Sequence, residues 1–187
     1  MDVMTDVRGA DRRVTQWAAN RTPRLVGRVL SAVEETAESS KLWIGAAGLM
    51  AAFGAGRGRR CAVSGLTALA VAQLVSNGVG KQLGDRSRPP KEWIEHDEVD
   101  DRPDSSSFPS GHTAAGVAFT AAVAPTWPVA AALCSVPAAL LALERVQSGA
   151  HYPDVAAGAV IGLGSAWLTR RAPRLLPPRL TAALSGP

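Results

Sequence analysis

The chain has 187 residues, 47% of them apolar, with a formal net charge of +4 and two cysteines. That length suits a single domain, and the mean apolar content is ordinary for a globular protein. The distribution is not ordinary: Lys, Arg, Asp and Glu are absent from residues 42–56, 61–80, 113–127, 128–143 and 155–168 and crowd into the gaps between them, as they do between membrane spans.

Residues 1–40 come first and differ from the rest. Arg12, Arg13, Arg21, Arg24 and Arg28 exclude a span, Thr22-Pro23 is a good helix start, and Leu25, Val26, Val29, Leu30 and Val33 recur on one face. The pattern predicts an amphipathic helix lying at the membrane surface, arginines toward headgroups. It lacks the uninterrupted apolar core of a signal peptide, so it is expected to remain on the mature protein. Residues 41–170 then read as a membrane-embedded, all-α bundle of about five spans, some needing a residue or two of loop to cross the core. A soluble bundle of Ala-rich core helices is the competing reading. Five charge-free runs would leave it too little polar surface.

Within these runs, Gly45, Gly48, Gly54, Gly56, Gly158, Gly162 and Gly164 predict close backbone approach between helices, with Gly158-x-x-x-Gly162 a small-residue ridge. Such faces also allow a homodimer. Pro137 is expected to kink the fourth helix. Cys61 and Cys134 sit alone in apolar runs, which indicates small hydrophobes and neither a disulfide nor a zinc site. Residues 171–187 form a basic, Pro-containing tail. The arginines at 57, 59 and 60 and at 170, 171 and 174 read as charged membrane flanks.

Chemistry-bearing residues collect between the spans. Lys81 and Arg88-Pro89 follow the second run, Pro109-Ser110-Gly111-His112 opens the third, Glu144-Arg145 closes the fourth, and His151-Tyr152-Pro153-Asp154 opens the fifth. Up-and-down threading brings all four groups to one membrane face. Lys81, Arg88 and Arg145 suit the nonbridging oxygens of a phosphoryl group, arginine adding a forked donor. Ser110 and Gly111 offer a hydroxyl and backbone N–H groups at a helix N-terminus. One neutral imidazole can attack phosphorus while a protonated one supplies the departing oxygen, and Asp154 can fix the tautomer of His151. The acidic stretch around His96, residues 91–104, reads as a solvated loop in preference to a metal site, and Trp93-Ile94 as a lip dipping into the interface.

These three segments together, Lys81 to Arg88-Pro89, Pro109-Ser110-Gly111-His112, and Arg145 to His151, resemble the signature of the type 2 phosphatidic acid phosphatase superfamily, which also holds bacterial acid phosphatases and vanadium haloperoxidases. The resemblance covers residue 81 to about 158, and the spans around it look like the family's membrane branch. It implies that His151 attacks phosphorus to give a phosphohistidine and that His112 is the general acid. Lys81, Arg88, Ser110, Gly111 and Arg145 would hold the phosphoryl oxygens. Neither a metal nor a cofactor is implied. The chain departs from the family twice. Glu144 stands where Ser usually precedes the arginine, either turning outward or orienting Arg145, and two residues separate His151 from Asp154 where three are usual.

A site at the rim of a bundle receives a phosphate whose tail stays in the bilayer. The expected substrate is therefore a lipid phosphate: a polyprenyl mono- or diphosphate first, because the short loops leave little protein to read a large headgroup, then phosphatidic acid or phosphatidylglycerol phosphate. No nucleic-acid partner is expected. The chain reads as a multi-pass cell-membrane protein. The basic flanks opposite the site favour an outward-facing site, and the Arg-rich N-terminal segment on the catalytic face offsets them. The resemblance to bacterial family members, most of which work on the outer side, implies an outward-facing site. A catalytically inactive scaffold of the same fold and a vanadate-dependent haloperoxidase are the alternatives. Members of the latter group are larger and soluble.

Overall fold

The computed structural model describes Arg13 and residues 40–80, 108–147 and 152–175, and among these the regular structure is helical throughout. The predicted N-terminal amphipathic helix, apart from Arg13, and the loop 81–107 lie outside the described residues, as does the tail beyond residue 175. Five helices coincide with the five charge-free runs: α1 Lys41–Phe53, α2 Ala55–Gln73, α3 Gly111–Val123, α4 Pro128–Gln147 and α5 Tyr152–Leu175. Helix α2 runs on without a break into a π-helical stretch, Leu74–Gly80. The arginines at 57, 59 and 60 belong to the first turns of α2, so that helix begins ahead of its charge-free run. Helix α4 continues through Pro137, and α5 extends past residue 170.

Helix α3 is central and packs on α2, α4 and α5, while α1 packs on α2. The interior is built of small side chains: Ala68, Ala72, Ala114, Ala118, Ala122 and Ala166 form one cluster. Trp43 and Phe119, with ring centroids 5.3 Å apart and tilted by 38°, fill the other. Many other large aliphatic and aromatic side chains point outward. Phe53 is 82% exposed, and Leu74, Leu133, Val160 and Trp167 are exposed as well. A chain folding in water would bury more of these large side chains. An apolar exterior over a small-residue interior is the arrangement expected in lipid, where helices associate through close packing and not through burial of large side chains.

Among the described residues, two stretches suffice by length and composition to cross a bilayer, Ala55–Gly78 and Pro128–Val146. Helices α1 and α3, of 13 residues each, reach only about 20 Å at 1.5 Å per residue, short of a hydrocarbon core of about 30 Å.

The ridge Gly158-x-x-x-Gly162 does what its spacing predicts. A Cβ on Gly158 would overlap the Ser110 carbonyl oxygen, and one on Gly162 would stand 2.7 Å from the Ala114 carbonyl oxygen. The two glycines therefore let α5 lie directly on the backbone of α3. The close-approach reading also holds for Gly54, against Trp127, but Gly45, Gly48, Gly56 and Gly164 face open space. Sequence spacing cannot tell a glycine on a packed face from one on the lipid side of the same helix.

Candidate active site

The mouth of α3 is the centre of the site. Ser110 precedes the helix in an extended conformation, φ −70° and ψ 104°, and its hydroxyl accepts the Thr113 N–H as an N-cap. The same hydroxyl lies 2.9 Å from Thr113 Oγ1. Capping satisfies one of the N–H groups that the first turn leaves without an intrahelical partner. His112 sits in that first turn, half-buried.

Helix α5 is tied to this mouth by its own first turn. The Ser110 N–H donates to the Asp154 carbonyl oxygen at 3.0 Å, and Gly158, one turn further on, packs against the Ser110 carbonyl. The Asp154 side chain is fully buried, a placement a carboxylate tolerates only with hydrogen-bonding partners. The first turn of α5 is thus anchored to the turn that carries His112.

Helix α4 arrives from the opposite direction. A Cβ on Gly116 would stand 3.4 Å from Ala138 Cβ, so these residues are level. Counting up each helix at 1.5 Å per residue from there puts Arg145 about 3 Å beyond Gly111. The end of α4 that carries Arg145 is therefore at the same end of the bundle as the mouth of α3. Glu144 beside it is buried, and the Arg145 Nε–H donates to Glu144 Oε2 at 2.6 Å. Of the two positions open to Glu144 from sequence, the structure takes the inward one.

The far ends of the helices carry the flanking charges. Ser64, midway along α2, donates to the Ala122 carbonyl oxygen near the end of α3, so the arginines at 57, 59 and 60, about one to two turns before it, lie at the end of the bundle away from His112. At the C-terminal part of α5, Arg171 stacks over Trp167 at 4.9 Å and Arg170 Nε donates to the Ala166 carbonyl oxygen.

Among the described residues, Ser110, Gly111 and His112 share the start of α3, Asp154 is joined to it through the Ser110 N–H, and Arg145 lies in the last turn of α4. Lys81, Arg88 and His151 lie outside the described residues. Three polar residues escaped the sequence reading. A Cβ on Gly111 would meet Asn77 Oδ1 at 3.2 Å, Ser76 Oγ at 3.5 Å and Gln73 Oε1 at 3.7 Å, with Asn77 Nδ2 donating to Gln73 Oε1 at 2.6 Å. They come from the π-helical end of α2, a rare geometry found often at functional sites. Their only sequence signal is polar side chains in the last turns of an otherwise apolar run. Among the described residues no group of three His, Cys, Asp or Glu side chains could hold a metal ion.

An oxyanion in front of this mouth would meet the backbone N–H groups of the first turn of α3, a setting that suits an anion. The sequence profile of the PAP2 superfamily matches residues 62–176, more than half of the chain, and the chain belongs to that superfamily. No curated protein matches it. Its fold is similar to that in the crystal structure of a transmembrane PAP2-type phosphatidylglycerolphosphate phosphatase from Bacillus subtilis. The TM-score is 0.66 at 20% identity, covering 92% of this chain and 89% of that one.

Proposed function

We propose that this member of the PAP2 superfamily is a multi-pass membrane phosphatase that hydrolyses a lipid phosphate through a phosphohistidine on His151. The observation that carries the reading is the Ser110 N–H to Asp154 carbonyl bond of 3.0 Å, because it joins the His112 turn to the turn that follows His151.

In this reading an imidazole nitrogen of His151 attacks phosphorus, the bond from phosphorus to the lipid oxygen breaks, and His112 gives its proton to that oxygen. Water then attacks the phosphohistidine, His112 takes a proton from it, and phosphate leaves. Arg145, with Lys81 and Arg88, neutralises the nonbridging oxygens, and the N–H groups at Gly111 and His112 add fixed dipoles. Asp154 orients His151. The burial of its carboxylate supports that role and the shortened spacing does not prevent it, since residues three apart share a helix face.

A polyprenyl mono- or diphosphate is the favoured substrate. The apolar exterior supports delivery of the substrate from the bilayer. The neighbouring fold described as a phosphatidylglycerolphosphate phosphatase keeps that lipid, with phosphatidic acid, among the candidates. The arginines flanking the far ends of α2 and α5 support an outward-facing site.

Purified enzyme assayed in EDTA against these lipids tests the reading. Turnover in chelator is expected, together with an acid-labile phosphoenzyme that His151→Ala abolishes. Inactivity on every lipid phosphate would indicate a scaffold. Activity that needs added magnesium, or phosphate trapped on His112, would reject the mechanism.

A further inference from the structure

The buried pair at the end of α4 gives Glu144 a task. A carboxylate next to a phosphate clamp should weaken it, since it repels the anion it borders, and yet Glu144 is turned inward and only 4% exposed. Its partner settles how the conflict is avoided. Arg145 Nε–H donates to Glu144 Oε2 at 2.6 Å, a short charge-assisted bond between two buried side chains. The bond is made through Nε, and the Nη1/Nη2 edge of a guanidinium is one that can make a forked contact with a phosphoryl group.

Arginine is long and rotamer-rich, and a forked contact is effective only when the plane of the guanidinium is already aimed. Adjacent residues on a helix point about 100° apart, so the Arg145 side chain must bend toward Glu144 to make this bond. Bending back in this way fixes both its reach and its plane. We propose that Glu144 is a positioning residue that holds Arg145 by its Nε and aims the fork at the phosphoryl site. The proposal rests on the phosphatase reading and concerns a position where the chain departs from the usual serine. Serine at 144 would be too short to hold Nε in the same way, so the carboxylate is a different solution to aiming the same arginine.

Direct binding of vanadate, a mimic of the pentacoordinate phosphoryl state, tests it without relying on the choice of lipid. By calorimetry on detergent-solubilised protein, Glu144→Ala is expected to bind vanadate about tenfold or more weakly than wild type. Glu144→Gln, which keeps an acceptor at the same reach, is expected to stay within about threefold. In an Arg145→Ala background Glu144→Ala should change nothing further, since the residue acts through the arginine. If Glu144→Ala does not fold, Glu144→Ser takes its place with the same expected loss.

Equal or tighter binding by the Ala or Ser variant would overturn the proposal, as the carboxylate would then merely oppose the anion. A Gln variant as weak as Ala would overturn it too, because charge and not a hydrogen bond would carry the effect. So would a full loss persisting in the Arg145→Ala background. Wild-type protein that binds no vanadate would remove the phosphatase reading itself, and the proposal with it.

Discussion

Gly158→Ala alters the joint between α3 and α5 without replacing a side chain that carries chemistry. The added methyl would overlap the Ser110 carbonyl oxygen and stand 3.2 Å from Thr113 Cβ and 3.3 Å from the Ser110 carbonyl carbon. Carbon–carbon contacts prefer about 3.5–4.0 Å. The carbonyl cannot swing aside, because it accepts the Ala114 N–H at 3.0 Å and so belongs to the first turn of α3. The helices must therefore part by something on the order of 1 Å. Overpacking of this kind costs about 1–3 kcal/mol, while alanine in place of glycine in a helix returns up to about 1 kcal/mol. The net loss of stability is accordingly only about 0–2 kcal/mol, and turnover is the more sensitive readout. Parting the turn of His112 from the turn of Asp154 by about 1 Å is expected to lower kcat about 10²-fold. Gly164→Ala is the control, since nothing lies within 4 Å of a Cβ there. It should keep wild-type kcat and an equal or higher unfolding midpoint in detergent. A Gly158→Ala enzyme with wild-type kcat, or a Gly164→Ala enzyme equally impaired, would refute the reasoning.

Two further outcomes concern the reacting groups. Asp154→Asn should lower kcat by about 10²-fold or more if its carboxylate orients His151 as carboxylates do in other such pairs. Steady-state kinetics check this, and near wild-type turnover would assign the orientation of His151 to another group. His112→Ala should lose far more activity on a lipid phosphate than on p-nitrophenyl phosphate, whose leaving group needs little protonation. Equal losses on the two substrates would remove the general-acid role.

Much of this protein was legible from one dimension. Charge exclusion marked five helices because a run without charge can be buried or face lipid along its whole length, and each of the five runs contains most of an observed helix. Ser110 was readable as a helix start, and Gly158 and Gly162 as a packing ridge, because both depend on local spacing. What the sequence left open was direction around each helix. Gly45 and Gly164 face open space although they look like Gly158 on the page, and Glu144 could have turned either way until its bond to Arg145 set it inward. The nearness of Asn77 to Gly111 was likewise hidden. It depends on a π-helical change of phase in the last turns of α2, and a phase change moves every later side chain to a new bearing without leaving a mark in the hydrophobic pattern.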